Sequence, residues 1–111
     1  LENIAARFFS LAEESALARL SEEEYLPAFY RCWSRKEAVI KALGEGLACP
    51  LHSFDVSIGD HDARLLEFRR PGIDAGRWTM LQVDLHPGYA AAAAATDPRS
   101  GIRGYTYVSP E

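Results

Sequence analysis

Trp33-Ser34-Arg35-Lys36-Glu37-Ala38-Val39-Ile40-Lys41, closing on Gly44-Glu45-Gly46, is the stretch on which the reading of this 111-residue chain turns. Its apolar residues recur at helical spacing. At about 100° per residue, Phe29, Cys32, Trp33, Val39, Ile40 and Leu43 gather into one arc. Lys36 falls inside that arc, where an ammonium group is costly unless an anion meets it. Glu37 and Lys41 lie along its edge, and Trp33, Glu37 and Lys41 follow at i, i+4 and i+8 on one side of the helix. One carboxylate and two ammonium groups beside an indole could hold a metal ion and a phosphate. The same residues also admit a plainer account, in which Glu37 and Lys41 are a helix-surface pair and Lys36 buries its stem while its amine reaches water. Spacing alone leaves both open.

Outward from this stretch, the first half of the chain reads as helical. Ile4, Phe8 and Phe9 suit a short helix ending near Ser10, and Ser10 with Glu13 fits a capping box for a second helix over 11–20. Ser21 with Glu24 repeats the pattern, but Pro27 follows and proline disrupts a helix beyond its first turn. Either Ser21 caps a separate turn or the long helix starts close to Pro27. Gly44 supplies its left-handed stop. Gly44-x-Gly46 lacks the preceding strand that a dinucleotide fingerprint needs.

The second half reads as strands. Residues 54–58 lead into the Gly59-Asp60 turn, and 63–69 answer them. After a loop over 71–76, residues 78–85 alternate, with Thr79, Leu81, Val83 and Leu85 on one face and Trp78, Met80, Gln82 and Asp84 on the other. Alanine favours helix intrinsically, but the run at 90–95 is short and bounded by Pro87-Gly88 and Asp97-Pro98. It is read as a strand kept small by something packed closely against it, and 104–108 as a frayed last strand. Helices followed by antiparallel strands make the fold class α+β, with N-terminal helices packed on an antiparallel sheet.

Composition narrows the function classes. With 48% hydrophobic and 25% charged residues the chain reads as one soluble globular domain. A net charge of −4 and the lack of any dense basic run argue against nucleic acid as a partner; Arg35-Lys36 and Arg69-Arg70 are read as solvated or site residues. No stretch is long and apolar enough to span a bilayer, so no membrane role is expected and the cytoplasm is the default location. Cys32 and Cys49 are isolated from each other and from any His set, and Cys32 reads as a reduced core thiol.

The run W-S-R-K-E-A-V-I-K at 33–41 resembles the (W/F)-(S/T/A)-x-K-E-(A/S)-x-x-K signature of 4'-phosphopantetheinyl transferases. Arg7-Phe8-Phe9-Ser10 with Glu13 resembles the R-F-F-S-x-x-E element of the surfactin-synthetase-activating type. Pro50 to Val56 and His86-Pro87-Gly88-Tyr89 are similar to later strands of that type, so the resemblance covers nearly the whole chain in order. It implies one half of a pseudo-twofold fold, and transfer of the 4'-phosphopantetheine arm from coenzyme A to a serine of an acyl or peptidyl carrier protein. It implies Mg²⁺ held by Glu37, with Glu37 also accepting the serine proton. Lys41 would hold the pyrophosphate, Lys36 would reach the same anion, and Trp33 would pack beneath. The pathways served would be fatty acid, polyketide or nonribosomal peptide synthesis.

The family's G-(I/V)-D-x-E motif, which supplies further carboxylates upstream of R-F-F-S, has no counterpart here. The chain is therefore expected to be the C-terminal half-domain over 1–111, weak or inactive alone. It would be completed by an N-terminal half or by self-association; Leu1 begins mid-pattern, so more chain is expected upstream. Two alternatives stand beside this: a non-catalytic module that binds carrier protein or coenzyme A, and a short holo-acyl-carrier-protein-synthase-type subunit sharing sites between chains. Asp60-His61-Asp62 has metal-ligand types but sits at a turn, where Asp has its own backbone reason. His52 and His86 are read as structural or solvent-exposed. Glu13 is read as a helix cap, with a supporting role near the site left open.

Overall fold

The computed structural model describes residues 2–45, 48–82, 90–95 and 104–108. Among these residues three α-helices come first: α1 (Glu2–Phe8), α2 (Leu11–Ala18) and α3 (Glu22–Leu43). Five strands follow among the described residues: β1 (Phe54–Val56), β2 (Leu65–Phe68), β3 (Thr79–Gln82), β4 (Ala90–Ala95) and β5 (Gly104–Val108). The fold is α+β, and its antiparallel strands form two sheets, β1-β2 and β3-β4-β5. His86-Pro87-Gly88-Tyr89, Gly46 and the predicted positions Val83, Asp84 and Leu85 lie outside the described residues.

Both capping boxes form. Ser10 caps α2 and Ser21 caps α3; in each, the serine oxygen accepts the N3 amide and the N3 glutamate accepts the cap amide. The structure corrects both expectations for Pro27. Ser21 caps the long helix itself, and Pro27 sits in its second turn, exposed. A proline there leaves the Glu23 carbonyl without its usual amide donor, yet the box and the packing beyond hold the helix together. Gly44 ends α3 at φ 72°, and its amide closes on the Ile40 and Lys41 carbonyls.

α3 is the spine of the molecule, lying against β4 and β5 on one side and touching α2 and β1 on the other. β4 is the middle strand of its sheet, and Ala92 to Ala95 are buried there. Their small side chains admit the close approach of α3, as the alanine run led us to expect. In β3, Met80 and half-buried Gln82 turn inward opposite Ala94 and Ala92, whereas Thr79 and Leu81 face out, Leu81 being 53% exposed. β1 and β2 pair Phe54 with Phe68, whose rings stack at 4.9 Å.

An aromatic cluster fixes α1 to α3. Phe9 is buried and meets Phe29 at 5.2 Å and Trp33 at 6.2 Å between centroids; Phe8 meets the Trp33 ring edge-on at 6.3 Å. Such contacts add about 0.5–1.5 kcal/mol each beyond area burial. They set the last turn of α1, and so Arg7, beside the middle of α3.

Candidate active site

The unusual charge in the signature helix divides in two. Lys36 is almost wholly buried, and its ammonium donates to both oxygens of Glu13, at 2.7 and 2.9 Å, and to the Phe54 carbonyl. It also stands 4.2 Å from the centroid of the Phe54 ring. Glu13, equally buried, accepts in addition from the amides of Ser10 (2.9 Å) and Val56 (2.7 Å). One carboxylate thus ties together the start of α2, the middle of α3 and the end of β1. Burial pushes the Lys36 amine below its ordinary value, while Glu13 opposes that shift. Cys32, one turn before Lys36, is free and buried, and burial followed by the Glu13 charge raises its thiol well above the ordinary range.

Lys36, expected to reach a bound anion, pairs in this structure with Glu13. Its anion is internal, and its amine reaches neither water nor the groove described below. The helix cap read into Glu13 is present, but it is only part of what that side chain does. Sequence reasoning noted that a buried Lys36 would need an anion and had no means of pairing it with a residue 23 positions away.

Arg35 departs from expectation in the same way. It is buried, donating to the carbonyls of Ser57 and Gly59 (both 2.7 Å) and to the Gln82 amide oxygen (2.6 Å). Arg31, one turn earlier, donates to the Ile58 carbonyl at 2.8 Å. Together they clamp the turn after β1 to α3 and β3. Burial, helped by the Arg31 charge, pulls the Arg35 guanidinium down to about 10. Arg35-Lys36 is therefore not a solvated pair. Arg69 and Arg70 are held by carboxylates, Arg69 by Asp55 through two bonds of 2.9 and 3.0 Å and Arg70 by Glu45 through two of 2.6 and 2.7 Å.

Glu37 and Lys41 face outward from α3 into one groove of about 440 Å³. Glu37 is half-buried and Lys41 exposed. Arg7 and Phe8 from α1 form one wall, and residues 49–52 form the other. Phe8, Ile40, Pro50 and Leu51 make part of the lining apolar, with Arg7, His52, Glu37 and Lys41 supplying the polar groups. The structure thus brings Glu37 and Lys41 together and separates Lys36 from them. Trp33 is half-buried and packs behind Phe8, under the groove wall. Sequence reading passed over Arg7 as a groove residue and gave His52 a default structural role. Neither carries a periodic signal, and only the folding of α1 and of residues 49–52 onto α3 brings them here.

Glu37 is the one carboxylate among the described residues lining this groove. Among the described residues no three His, Cys, Asp or Glu side chains gather to hold a metal ion. A hard divalent cation that keeps water and binds substrate phosphate takes only one or two protein carboxylates, so Glu37 fits as one ligand of a shared set. Asp60, His61 and Asp62 are exposed at the turn, where Asp60 meets His61 and Asp62 meets Arg64.

A buried lysine–glutamate lock under an outward carboxylate and lysine one turn apart joins the two sequence elements into one structural unit. The chain belongs to the 4'-phosphopantetheinyl transferase superfamily, whose family model matches residues 1–94. It is 36% identical over 95 residues to the 4'-phosphopantetheinyl transferase Sfp of Bacillus subtilis (strain 168), covering 86% of this chain and 41% of that protein. It is 37% identical over 98 residues to the 4'-phosphopantetheinyl transferase ffp of Bacillus subtilis, with the same coverage of 86% and 41%. To the 4'-phosphopantetheinyl transferase HetI of Nostoc sp. it is 31% identical over 94 residues, 85% of this chain and 37% of that protein. The chain therefore spans about two fifths of the length of these relatives. No solved structure matches it. No helix among the described residues is long and apolar enough to cross a membrane.

Proposed function

We propose that this chain is the C-terminal half-domain of a phosphopantetheinyl transferase and supplies part of the active site for moving the 4'-phosphopantetheine arm from coenzyme A to a serine of an acyl or peptidyl carrier protein. The observation that supports the reading is the shared groove of Glu37 and Lys41, on a helix locked in place by Lys36 and Glu13. In the transfer, the serine oxygen attacks the phosphorus that carries the pantetheine arm. The bond from that phosphorus to the bridging oxygen breaks, and adenosine 3',5'-bisphosphate leaves. Glu37 accepts the serine proton, acting as the general base. Lys41 stands one turn on, where its ammonium meets the pyrophosphate and the charge that develops on the leaving phosphate.

Mg²⁺ is the cofactor this reading calls for, and Glu37 is the residue of this chain that would hold it; when bound, the ion neutralises pyrophosphate charge. One carboxylate is a partial set, so completion by an N-terminal half or by a second copy of the chain belongs to the proposal. The cytoplasm is the proposed location, in keeping with two free, buried cysteines.

The test is mass spectrometry of an apo carrier protein incubated with coenzyme A, Mg²⁺ and this chain, with and without a relative's N-terminal half. A mass gain equal to one phosphopantetheine, lost with Glu37→Ala, is the expected result. No gain in any mixture would overturn transfer and leave a non-catalytic binding module.

A further inference from the structure

We propose that Arg7 and His52 complete, with Lys41, a three-point clamp for a pyrophosphate-type anion in the groove that also holds Glu37. The inference rests on the reading of that groove as the transferase site. Four observations converge on these two residues.

First, Arg7 and His52 line two adjoining depressions: the 440 Å³ groove of Glu37 and Lys41, and a second of about 540 Å³ that continues past α2 toward Asp55 and Arg69. They therefore stand at the junction, where a long ligand entering either depression must pass. Second, most other basic side chains near the core are committed to the protein. Arg31 and Arg35 bind the turn after β1, Lys36 binds Glu13, and Arg69 and Arg70 bind Asp55 and Glu45. The exposed Arg7 guanidinium lies over the face of Phe8, 5.3 Å from the ring centroid. A contact of that kind uses the flat face of the guanidinium, and its in-plane N–H fork is the part of the group that matches phosphate oxygens.

Third, both residues are carried on fixed backbone. Arg7 ends a helix pinned by Phe8 and Phe9 on Trp33. His52 lies in the short turn Leu51–Ser53, and its carbonyl accepts from Arg69 at 2.7 Å, Arg69 being itself held by Asp55. Fourth, the charge balance favours an anion. Arg7 from α1 and Lys41 from α3 line a groove whose one carboxylate among the described residues is Glu37, and His52 adds an N–H donor in either protonation state. A divalent cation at Glu37 would raise the positive charge further. The chemical class that fits is a pyrophosphate diester, or free pyrophosphate, with its oxygens shared among Arg7, His52 and Lys41.

The probe is inorganic pyrophosphate, titrated calorimetrically into the full chain with and without Mg²⁺. Arg7→Gln and His52→Gln are each expected to weaken binding about tenfold, the loss typical of one hydrogen bond to a charged group. Arg7→Lys should restore part of that loss, and Arg77→Gln, an exposed charge outside both depressions, should bind like the unaltered chain. Unchanged affinity in Arg7→Gln and His52→Gln would overturn the clamp, as would an equal loss in Arg77→Gln or no pyrophosphate binding at all. Transfer to a carrier protein, measured separately, judges the transferase reading. A chain that binds pyrophosphate through Arg7 and His52 but transfers nothing would keep the clamp and lose the reaction.

Discussion

Lys36 and Glu37 are neighbours in sequence, about 100° apart on α3, and they meet opposite surroundings. On the inner side, Lys36 is sealed against Glu13, the Phe54 carbonyl and the Phe54 ring. On the outer side, Glu37 lines an open groove with Lys41, Arg7 and His52. A signature that reads as one block of charge is therefore two devices set back to back. One holds α2, α3 and β1 in register, and the other lines an open groove with polar groups. The inner device explains why R-F-F-S-x-x-E and the signature helix occur together: Phe8 and Phe9 seat α1, Ser10 caps α2, and Glu13 reaches across to Lys36.

That division is best attacked first through the inner pair. Lys36→Ala leaves the Glu13 carboxylate buried without its cation, and Glu13→Ala does the converse. Each should lower unfolding stability by about 3–5 kcal/mol, read from urea midpoints. The double change Glu13→Gln with Lys36→Met should recover much of the loss, because no buried charge is then left without a partner. Equal midpoints for Lys36→Ala and the unaltered chain would show that the lysine escapes to solvent, and the two-device account would fail.

The outer pair should behave in the opposite manner. Glu37→Ala and Lys41→Ala are expected to leave the urea midpoint within about 0.5 kcal/mol, as surface changes do. Transfer in the complete enzyme should fall about a hundredfold or more for Glu37→Ala, the scale of a lost general base. Near-normal turnover in both variants would remove Glu37 and Lys41 from the chemistry. A large loss of stability in either would move them to the inner class.

A smaller effect depends on pH. Burial tends to raise the Asp55 carboxyl, but hydrogen bonds from Arg69 and Ser10, with the charges of Arg69 and Lys36, outweigh it and hold the group below its ordinary 3.8. A carboxyl depressed in the folded state contributes stability above the ordinary value and loses it as the pH falls through the lower folded value. The Arg69 side is half-exposed, so the contribution should be no more than about 1 kcal/mol. Asp55→Asn should flatten the fall in stability below pH 3.8, followed by thermal melts at stepped acid pH. An unchanged acid slope would assign the destabilisation to other carboxylates.

How much of this was legible in the sequence follows from how far apart the partners lie. The caps at Ser10 and Ser21, the stop at Gly44 and the hairpin from Phe54 to Phe68 are local, and each was read from residues close along the chain. The position of Lys36 in the apolar arc announced a missing anion, but Glu13 already had a complete local explanation as a cap. Arg35 looked like one half of a surface cluster because its three acceptors, at Ser57, Gly59 and Gln82, are 22 to 47 residues away. Pro27 misled in the other direction: local propensity argued against a helix through it, and the cap before it together with the packing after it prevailed. In the groove, spacing put Glu37 and Lys41 on one side of the helix, and the signature resemblance gave them a role. Arg7 and His52 were not visible in this way, since exposed positions leave no periodic trace.

The two capping boxes offer the smallest and cleanest contrast, because the same motif occurs once in each setting. Ser10-x-x-Glu13 and Ser21-x-x-Glu24 make the same reciprocal bonds, with serine oxygens 3.3 Å from the glutamate amides in both. At Ser21 the box is exposed, and the Glu24 carboxylate accepts from the Ser21 amide and hydroxyl. Ser21→Ala should therefore cost about 1 kcal/mol, the ordinary worth of a cap, and Glu24→Gln less, since the amide oxygen still accepts from the cap backbone. Glu13→Gln keeps that same oxygen, yet it strips the counter-charge from a buried ammonium and should cost several times more. If Glu13→Gln and Glu24→Gln shift the urea midpoint equally, Glu13 is no more than a cap, and the lock between α2, α3 and β1 does not hold the fold.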